Sequence, residues 1–315
     1  MNSVYNFLRE NHILGVIEIA CMKNSFTLNL SNHKIQDIPE ILMTCTSLQR
    51  LCLNRNEITK VPENIALLNR LRSLTLSYNC LTEFPTAVCS LTELQKLNVS
   101  CNVIKTIPKE IGNLRQLTDF WCNYTELEAI PEEIGKCENL ETFGARGNHI
   151  KCLPETIGSL KRLQWLTLES NELEELPQSF SSLKKLIHIT LSKNSFTNVP
   201  NVLLEMKTIK FCFLNNNNIK TIEKKHLDDS RFMKHFALYE NPGYEDGKNL
   251  ISSYKHVVPV EQGDELILED NSESDWENSI ATSEIDTTDD SDDNQQFEEI
   301  ASLVPDLSRF VTAFN

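Results

Sequence analysis

The sequence predicts an α/β solenoid with a parallel β-sheet along its inner face, built from about ten short units. A leucine or its substitute recurs every 23 residues, an asparagine follows most copies at a fixed offset, and a proline follows later in nearly every unit. The recurring position is held by Leu48, Leu71, Leu94, Leu117, Leu140, Leu163, Leu186 and Ile209. Such a regular period indicates one supersecondary unit copied and stacked, because no single unit buries its apolar face alone.

Each part of the unit has a physical role. The alternating leucines of L-x-x-L-x-L are expected to point inward from a short strand, while the residues between them point outward. The asparagine turns the chain inward, since its side chain offers a donor and an acceptor to buried backbone groups. The proline ends the strand because it lacks an N–H, and short helical or 3₁₀ segments follow on the convex side. We assign these residues to the scaffold.

The full pattern, L-x-x-L-x-L-x-x-N-x-L-x-x-(I/L)-P-x-x-(I/L)-x-x-L, resembles that of the leucine-rich repeat family and covers residues 25–245. The form (I/L)-P-x-x-I-G-x-L at residues 107–114 and 153–160 is similar to the intracellular subclass. That subclass includes Scribble, Erbin, the Ras-suppressor protein and the plant intracellular Ras-group proteins. The resemblance implies a leucine-rich repeat horseshoe that acts as a scaffold in signal transduction and recognises protein partners on its concave face.

Departures from the pattern mark the ends of the array. Residues 1–24 predict an N-terminal capping helix with an apolar stripe, in which Asn11 and Gly15 are candidate interruptions. Residues 246–260 predict a C-terminal cap. Inside the array, Thr125 replaces the asparagine of its unit. Four neighbouring residues also replace aliphatic core residues, and we interpret them as a repacking of large against small side chains: Phe120, Phe143, Cys122 and Ala145.

Charge divides the chain into a nearly neutral body and an acidic tail. Residues 261–315 contain 17 acidic residues and one basic residue, while the whole chain has a net charge of −15. Residues 261–296 have the composition of a disordered acidic tail, and residues 297–315 follow the apolar spacing of an amphipathic segment. Four hydroxyl residues in the tail have an acidic residue three positions later, which makes them candidate phosphorylation sites: Ser272, Ser274, Ser283 and Thr287.

The ten cysteines show no paired spacing at the ends of the array, and several, such as Cys45 and Cys122, occupy core positions. No stretch is typical of a signal peptide or a membrane span. These features predict reduced thiols and a cytoplasmic location, with the nucleus as the alternative.

The outward strand positions predict where a partner binds. In the first four units they are mainly small or polar, whereas from the fifth unit they become aromatic, basic and histidine-rich. The predicted partner-binding residues are Trp121, Tyr124, Arg146, Trp165, His188, Phe211, Phe213, His235 and Tyr239. We expect these side chains to stand in solvent, with Gly144 and Gly147 leaving a depression between the rows of Trp121 and Trp165. An exposed aromatic patch of this kind is typical of an interaction site.

The sequence also allows other interpretations of the chain. The aromatic residues either receive a partner, are covered by the C-terminal tail, or are incidental surface. The acidic tail resembles that of the acidic leucine-rich nuclear phosphoproteins, which implies binding of basic proteins. A third interpretation is a substrate adaptor of a ubiquitin ligase. The chain is expected to be monomeric.

No catalytic, metal or cofactor site is predicted. His188 and His235 share an outward column two units apart, roughly 10 Å by strand spacing, which is too far for one zinc ion. No set of Ser, His and Asp or of Cys and His shares a neighbourhood. Nucleic acid is not expected as a partner because the body lacks a basic stripe and the acidic tail repels phosphate, and no membrane partner is expected.

Overall fold

The computed structural model describes the backbone of residues 2–258 and the side chains of residues 9–257. The predicted acidic tail at residues 261–296, the amphipathic segment at residues 297–315 and all four candidate phosphorylation sites therefore lie outside the described residues.

The described strands form one sheet in which they lie in chain order and every neighbouring pair is parallel. Here, repeat one is the unit that contains the first strand, and so on along the chain. The strands are β1 (Thr27–Asn29), β2 (Arg50–Cys52), β3 (Ser73–Thr75), β4 (Lys96–Asn98), β5 (Asp119–Trp121), β6 (Thr142–Gly144), β7 (Trp165–Thr167), β8 (His188–Thr190), β9 (Phe211–Phe213), β10 (His235–Ala237) and β11 (Val257–Val258). The predicted solenoid is confirmed.

The convex side is built from short turns of helix. In repeats one to seven these are 3₁₀ segments, each preceded by the proline of its unit: Glu40–Thr44, Glu63–Leu67, Thr86–Ser90, Lys109–Asn113, Glu132–Lys136, Glu155–Ser159 and Gln178–Ser182. The α-helices are α1 (Asn2–Met22), α2 (Asn201–Glu205), α3 (Lys224–Asp229) and α4 (Pro242–Ile251). A Cβ on Gly135 would lie 2.6 Å from the Thr156 carbonyl oxygen, so glycine permits the close approach of neighbouring 3₁₀ segments.

The strands stay in register because almost every unit has the same length. Leu51 pairs with Leu74 and then Leu97, each 23 residues further on, and all three side chains are fully buried. The residue just before each ladder position has a positive φ in all ten repeats: Asn32, Arg55, Tyr78, Cys101, Tyr124, Gly147, Ser170, Lys193, Asn216 and Glu240. This left-handed residue turns the chain inward. It is a glycine only in repeat six, at Gly147.

A ladder of buried asparagines joins neighbouring repeats. Asn102 donates from Nδ2 to the carbonyl oxygens of Val99 at 2.8 Å and Leu76 at 3.0 Å, and its Oδ1 accepts from Leu81 N–H at 3.0 Å. At the position of repeat five, Thr125 donates from Oγ1 to the carbonyl oxygen of Cys122 at 2.9 Å. These hydrogen bonds confirm the prediction that the asparagines pair with buried backbone groups.

Large aromatic rings fill the core in the middle of the array. Phe120 and Phe143 are stacked with ring centroids 5.6 Å apart, and Phe84 meets Phe120 edge to face at 6.4 Å. Cys122 and Ala145, which are small, are buried beside them in repeats five and six. The large rings therefore pack against each other, and the predicted packing of large against small side chains stays a prediction.

The N-terminal cap differs from the prediction in two respects. Helix α1 runs without interruption through Asn11 and Gly15, because its buried stripe includes Ile13 and Ile17 and continues across both. A disulfide joins Cys21, in the last turn of α1, to Cys45, and their Cα atoms are 4.7 Å apart. The expectation that all cysteines are reduced is wrong for this pair, because the helix folds back and places residues 24 positions apart in contact.

No helix within residues 2–258 combines the length and the hydropathy that a transmembrane crossing requires.

Candidate functional site

The concave face of repeats five to ten carries the nine residues that the sequence singles out, but their exposure is uneven. Tyr124 and Trp165 are 46% and 44% exposed. Arg146 and Phe211 are half-buried. The other five are buried: Trp121, His188, Phe213, His235 and Tyr239. The expectation that all nine stand in solvent is therefore wrong for these five.

The buried rings are covered by one another. Strand pairing places Trp165 opposite His188, and His188 opposite Phe211, at the same outward strand position. Adjacent strands lie only about 4.8 Å apart, so flat side chains in one row cover each other's faces. The residues between the outward positions, such as Ile189 and Cys212, fill the core instead. The predicted side-chain directions hold, but lateral packing removes much of the expected exposure.

Five of these side chains form a continuous row, which we term the ring ladder: Trp165, His188, Phe211, Phe213 and His235. The Trp165 and His188 rings are stacked with centroids 4.5 Å apart. Phe213 lies between the two histidines, with its centroid 5.3 Å from His188 and 4.9 Å from His235. Trp165 is the last side chain of the row and is exposed. Stacking on His188 therefore fixes the orientation of an exposed aromatic ring.

The predicted depression at the glycines does not exist. A Cβ on Gly144 would lie 2.9 Å from Cδ1 of Trp121, and a Cβ on Gly147 would clash with the ring of Tyr124. Both glycines are therefore covered by the aromatic side chain of the preceding repeat. They shape this surface by letting Trp121 and Tyr124 lie flat on it.

A charged cluster beside the ring ladder was not predicted from the sequence. The side chain of Glu169, only 4% exposed, contacts Arg146 Nε at 3.3 Å and Lys193 Nζ at 3.0 Å. The guanidinium of Arg146 also lies 5.7 Å from the ring centroid of Tyr124. The signal was the spacing of the three residues, 23 and then 24 positions apart, which places them in adjacent repeats. Two cations around one carboxylate leave the cluster with a net positive charge.

The last histidine of the ring ladder sits in an apolar environment. Burial lowers the pKa of His235 below its ordinary value, since desolvation disfavours the imidazolium ion. Its Nε2 is buried and makes no hydrogen bond within the described residues. In the C-terminal cap, burial and, to a smaller extent, the charge of Arg231 also lower the pKa of His256. Both imidazoles favour the neutral form.

We expect the solenoid to lose stability as the pH falls below about 6.5, the ordinary histidine value. The pKa of His235 is lower when folded than when unfolded, so the unfolded chain binds more protons in that window and stability rises with pH. Urea unfolding at several pH values from 7.5 down to 5 measures this dependence. His235→Gln should make the free energy of unfolding less dependent on pH. Any loss of stability that the substitution causes equally at every pH is subtracted first. An unchanged slope would contradict burial of a neutral ring.

Family models match three stretches of the chain. Residues 70–91 and 93–114 match the model described as Leucine Rich Repeat, and residues 132–225 match the model described as Leucine-rich repeat region. The curated proteins contain no match to the chain.

Solved structures with a similar fold come from several sources. A leucine-rich repeat protein of Leptospira interrogans is 31% identical, with a TM-score of 0.66, over 68% of this chain and 54% of that one. The plant peptide hormone receptor RGFR1, solved in complex with RGF2, is 27% identical, with a TM-score of 0.59, over 68% of this chain and 36% of the receptor.

A third structure, the internalin inlF of Listeria monocytogenes, is 21% identical, with a TM-score of 0.53, over 72% of this chain and 67% of the internalin. At that identity the likeness shows the fold alone. The chain spans about half the length of the Leptospira protein and about a third of the plant receptor.

Proposed function

Because the chain belongs to the leucine-rich repeat family, we propose that it is a protein-binding scaffold that receives a protein partner on the concave face of repeats five to ten. The observation that carries this proposal is Trp165, which is 44% exposed while its ring is stacked on His188 at 4.5 Å. An aromatic side chain fixed before binding loses little entropy when a partner covers it. Tryptophan is also among the residues that dominate interface energies.

Features around Trp165 support a polypeptide as the ligand. Tyr124 adds a second exposed ring, and Arg146 and Lys193, both paired with the Glu169 carboxylate, add charged hydrogen-bond donors. One structural neighbour is a peptide hormone receptor solved in complex with RGF2. We further propose that the role belongs to intracellular signal transduction, as a scaffold without catalysis; the support is the resemblance of the repeat to the intracellular subclass.

Trp165→Ala is expected to weaken partner binding by about 2 kcal/mol, roughly thirty-fold in Kd. The far-ultraviolet circular dichroism should stay unchanged, because the exposed ring contributes little to folding. Partners are first recovered by affinity purification with the full chain, and their affinities are then measured by calorimetry. Phe213→Ala is a weaker test than its outward position suggested, since Phe213 is buried between two histidines and its loss also affects stability.

Tyr78→Ala is the matched control for this experiment. Tyr78 is 44% exposed, as Trp165 is, but it belongs to repeat three, outside the proposed surface. We expect it to change the affinity less than about two-fold. If Trp165→Ala does not change the partner affinity, or if both substitutions change it equally, the binding surface is not on repeats five to ten.

The acidic composition of residues 261–315 favours a second candidate function, the binding of basic proteins by the tail. Deletion of those residues would then abolish binding, and moderate salt would weaken it steeply. If the concave face carries the binding, the shortened chain retains most of its affinity.

A further inference from the structure

One edge of the sheet is strongly basic in repeats seven to ten. The basic residues occupy the turn and the position just before strands β7 to β10: Lys161, Arg162, Lys184, Lys185, Lys207, Lys210, Arg231 and Lys234. We term these eight residues the basic edge. The first residues of these four strands pair in register, so Lys161, Lys184 and Lys207, each four residues before a strand, lie one strand spacing apart. Arg231 continues that row in repeat ten.

The same positions in the preceding repeats have a different charge. In repeats two to six they hold three basic residues, Arg70, Arg72 and Arg115, and three acidic residues, Glu93, Glu138 and Glu141. In repeats seven to ten they hold no acidic residue. Seven members of the basic edge are exposed and Lys210 is half-buried. The edge therefore changes from neutral to strongly positive at repeat seven.

Helix capping explains part of this pattern. Lys161 Nζ donates to the Gly158 carbonyl oxygen at 2.6 Å, and Lys184 and Lys207 make the equivalent bonds at 2.8 and 3.1 Å. A cation is favourable at the carbonyl end of a helical turn. These bonds hold the ammonium groups in place, but each ammonium has three donors and keeps capacity for a ligand.

Capping does not explain the second cation of the turns before β7 and β8, although Lys210 before β9 does donate to the Lys207 carbonyl oxygen at 3.2 Å. Arg162 and Lys185 are exposed and make no such bond within residues 9–257. Over the same residues, Arg231 is the one member of the basic edge with a carboxylate in ion-pair range, Asp228 at 2.7 Å. Uncompensated like charges this close repel each other, so a partner anion would stabilise the arrangement.

We propose that the basic edge binds a short acidic segment of a protein partner. Four strands at about 4.8 Å give a row about 15 Å long, which matches about five residues of extended peptide. Glu138 and Glu141 lie on the same edge in repeat six, so a longer polyanion such as duplex nucleic acid would meet repelling charges there. A short acidic segment ends before that point.

This surface is distinct from the ring ladder but adjoins it. Lys210 immediately precedes Phe211 and Lys234 immediately precedes His235, so the two surfaces meet at the start of β9 and β10. The proposal does not depend on the ring ladder as a binding site. It corrects the expectation that the body lacks a basic stripe, which failed because the cations of successive turns are 23 or 24 residues apart and the body as a whole is nearly neutral.

The test uses the full chain and a fluorescein-labelled decapeptide of alternating glutamate and serine, with binding followed by fluorescence anisotropy at low salt. Lys184→Gln with Lys207→Gln should weaken peptide binding about ten-fold, because two cations leave the row. The matched control, Arg70→Gln with Arg72→Gln, changes two cations on the same edge in repeat three. It should alter the affinity less than about two-fold, and Trp165→Ala should leave it unchanged.

A second pair keeps the test decisive if loss of the capping bonds destabilises the fold. Arg162→Gln with Lys185→Gln removes two exposed cations that do not cap a helix, and it should also weaken binding, with an unchanged melting temperature. The proposal is overturned if the peptide does not bind, or if both edge pairs bind it as well as the repeat-three control does. It is also overturned if a 20-base-pair DNA duplex or phosphatidylserine vesicles bind more tightly than the peptide and depend on the same lysines.

Discussion

Replacing Asn171 with alanine is expected to lower the free energy of unfolding by about 4 kcal/mol, the sum of one orphaned backbone donor and two weakened carbonyl interactions. The side chain is buried on the ladder, with 7% of the residue exposed. Its Oδ1 accepts from Ile150 N–H at 3.1 Å, and its Nδ2 donates to the carbonyl oxygens of Ala145 at 2.8 Å and Leu168 at 3.1 Å.

These three groups lose unequal amounts, while the Glu169 carbonyl oxygen, 3.3 Å from Nδ2, keeps its bond from Gly147 N–H at 2.8 Å. The Ala145 carbonyl also accepts from Asn148 at 3.0 Å, and the Leu168 carbonyl also accepts from Asn194 at 2.9 Å, so each keeps one donor. Ile150 N–H loses the acceptor that Asn171 provides in a site from which water is excluded. A buried donor without an acceptor costs about 1–3 kcal/mol, and each lost bond to a carbonyl adds about 1 kcal/mol.

Urea unfolding of the full chain, followed by circular dichroism, measures this loss. Asn198→Ala is the matched control, because Asn198 is exposed and its side chain donates only to Thr197 Oγ1 within the described residues. It should change the free energy of unfolding by less than about 0.5 kcal/mol. Equal effects of the two substitutions would show that the ladder does not connect the repeats.

Thr125 is the position in the middle of the array where the ladder lacks an asparagine, so an asparagine can be introduced there instead of removed. The single hydroxyl proton of Thr125 is shared between the Cys122 carbonyl oxygen and Asn148 Oδ1. An asparagine there has two amide protons and would also reach the Val99 carbonyl, 26 residues earlier, as Asn102 reaches Leu76. We therefore expect Thr125→Asn to stabilise the chain by about 1 kcal/mol, the usual net value of one added hydrogen bond.

The repeating architecture could be predicted from the sequence because each unit carries the same local pattern. Leucine positions such as Leu51, Leu74 and Leu97 fix the strand, its inward face and the pairing partner at once, since almost every unit has the same length. The structure of one unit therefore recurs in every other unit along the chain. The exact identity of the left-handed residue was not predictable in this way, because Arg55 and Lys193 carry no glycine signal.

Contacts between units were harder to predict than the units themselves. The burial of His188 and Phe213 depends on ring size in the neighbouring repeats, and the disulfide of Cys21 and Cys45 depends on how the capping helix folds back. Glu169 breaks no apolar or aromatic pattern in the sequence. Its role as the carboxylate of a charged cluster is recognised only when the structure places Arg146 beside it. Each of these features requires the columns of the sheet to be compared across repeats.

Phe120→Ala is expected to lower the free energy of unfolding by about 4 kcal/mol, in the range measured for large aromatic side chains removed from cores. The ring is fully buried and contacts Phe143 at 5.6 Å and Phe84 at 6.4 Å between centroids, so its loss affects the packing on both sides of repeat five. Cys122 and Ala145 are too small to fill the cavity. Calorimetry and urea unfolding of the full chain measure the effect.

Phe120→Leu should cost less, about 1–2 kcal/mol, because leucine is the residue found at this strand position in β2 to β4. Phe26→Ala is the control for aromatic loss alone, since Phe26 is 61% exposed. Each repeat is stabilised by its neighbours, so a cavity in repeat five weakens the coupling between the two halves of the array. Unfolding of Phe120→Ala should therefore separate into two transitions. If it remains single and the loss stays below about 1 kcal/mol, the three phenylalanines do not form the central core that joins the halves.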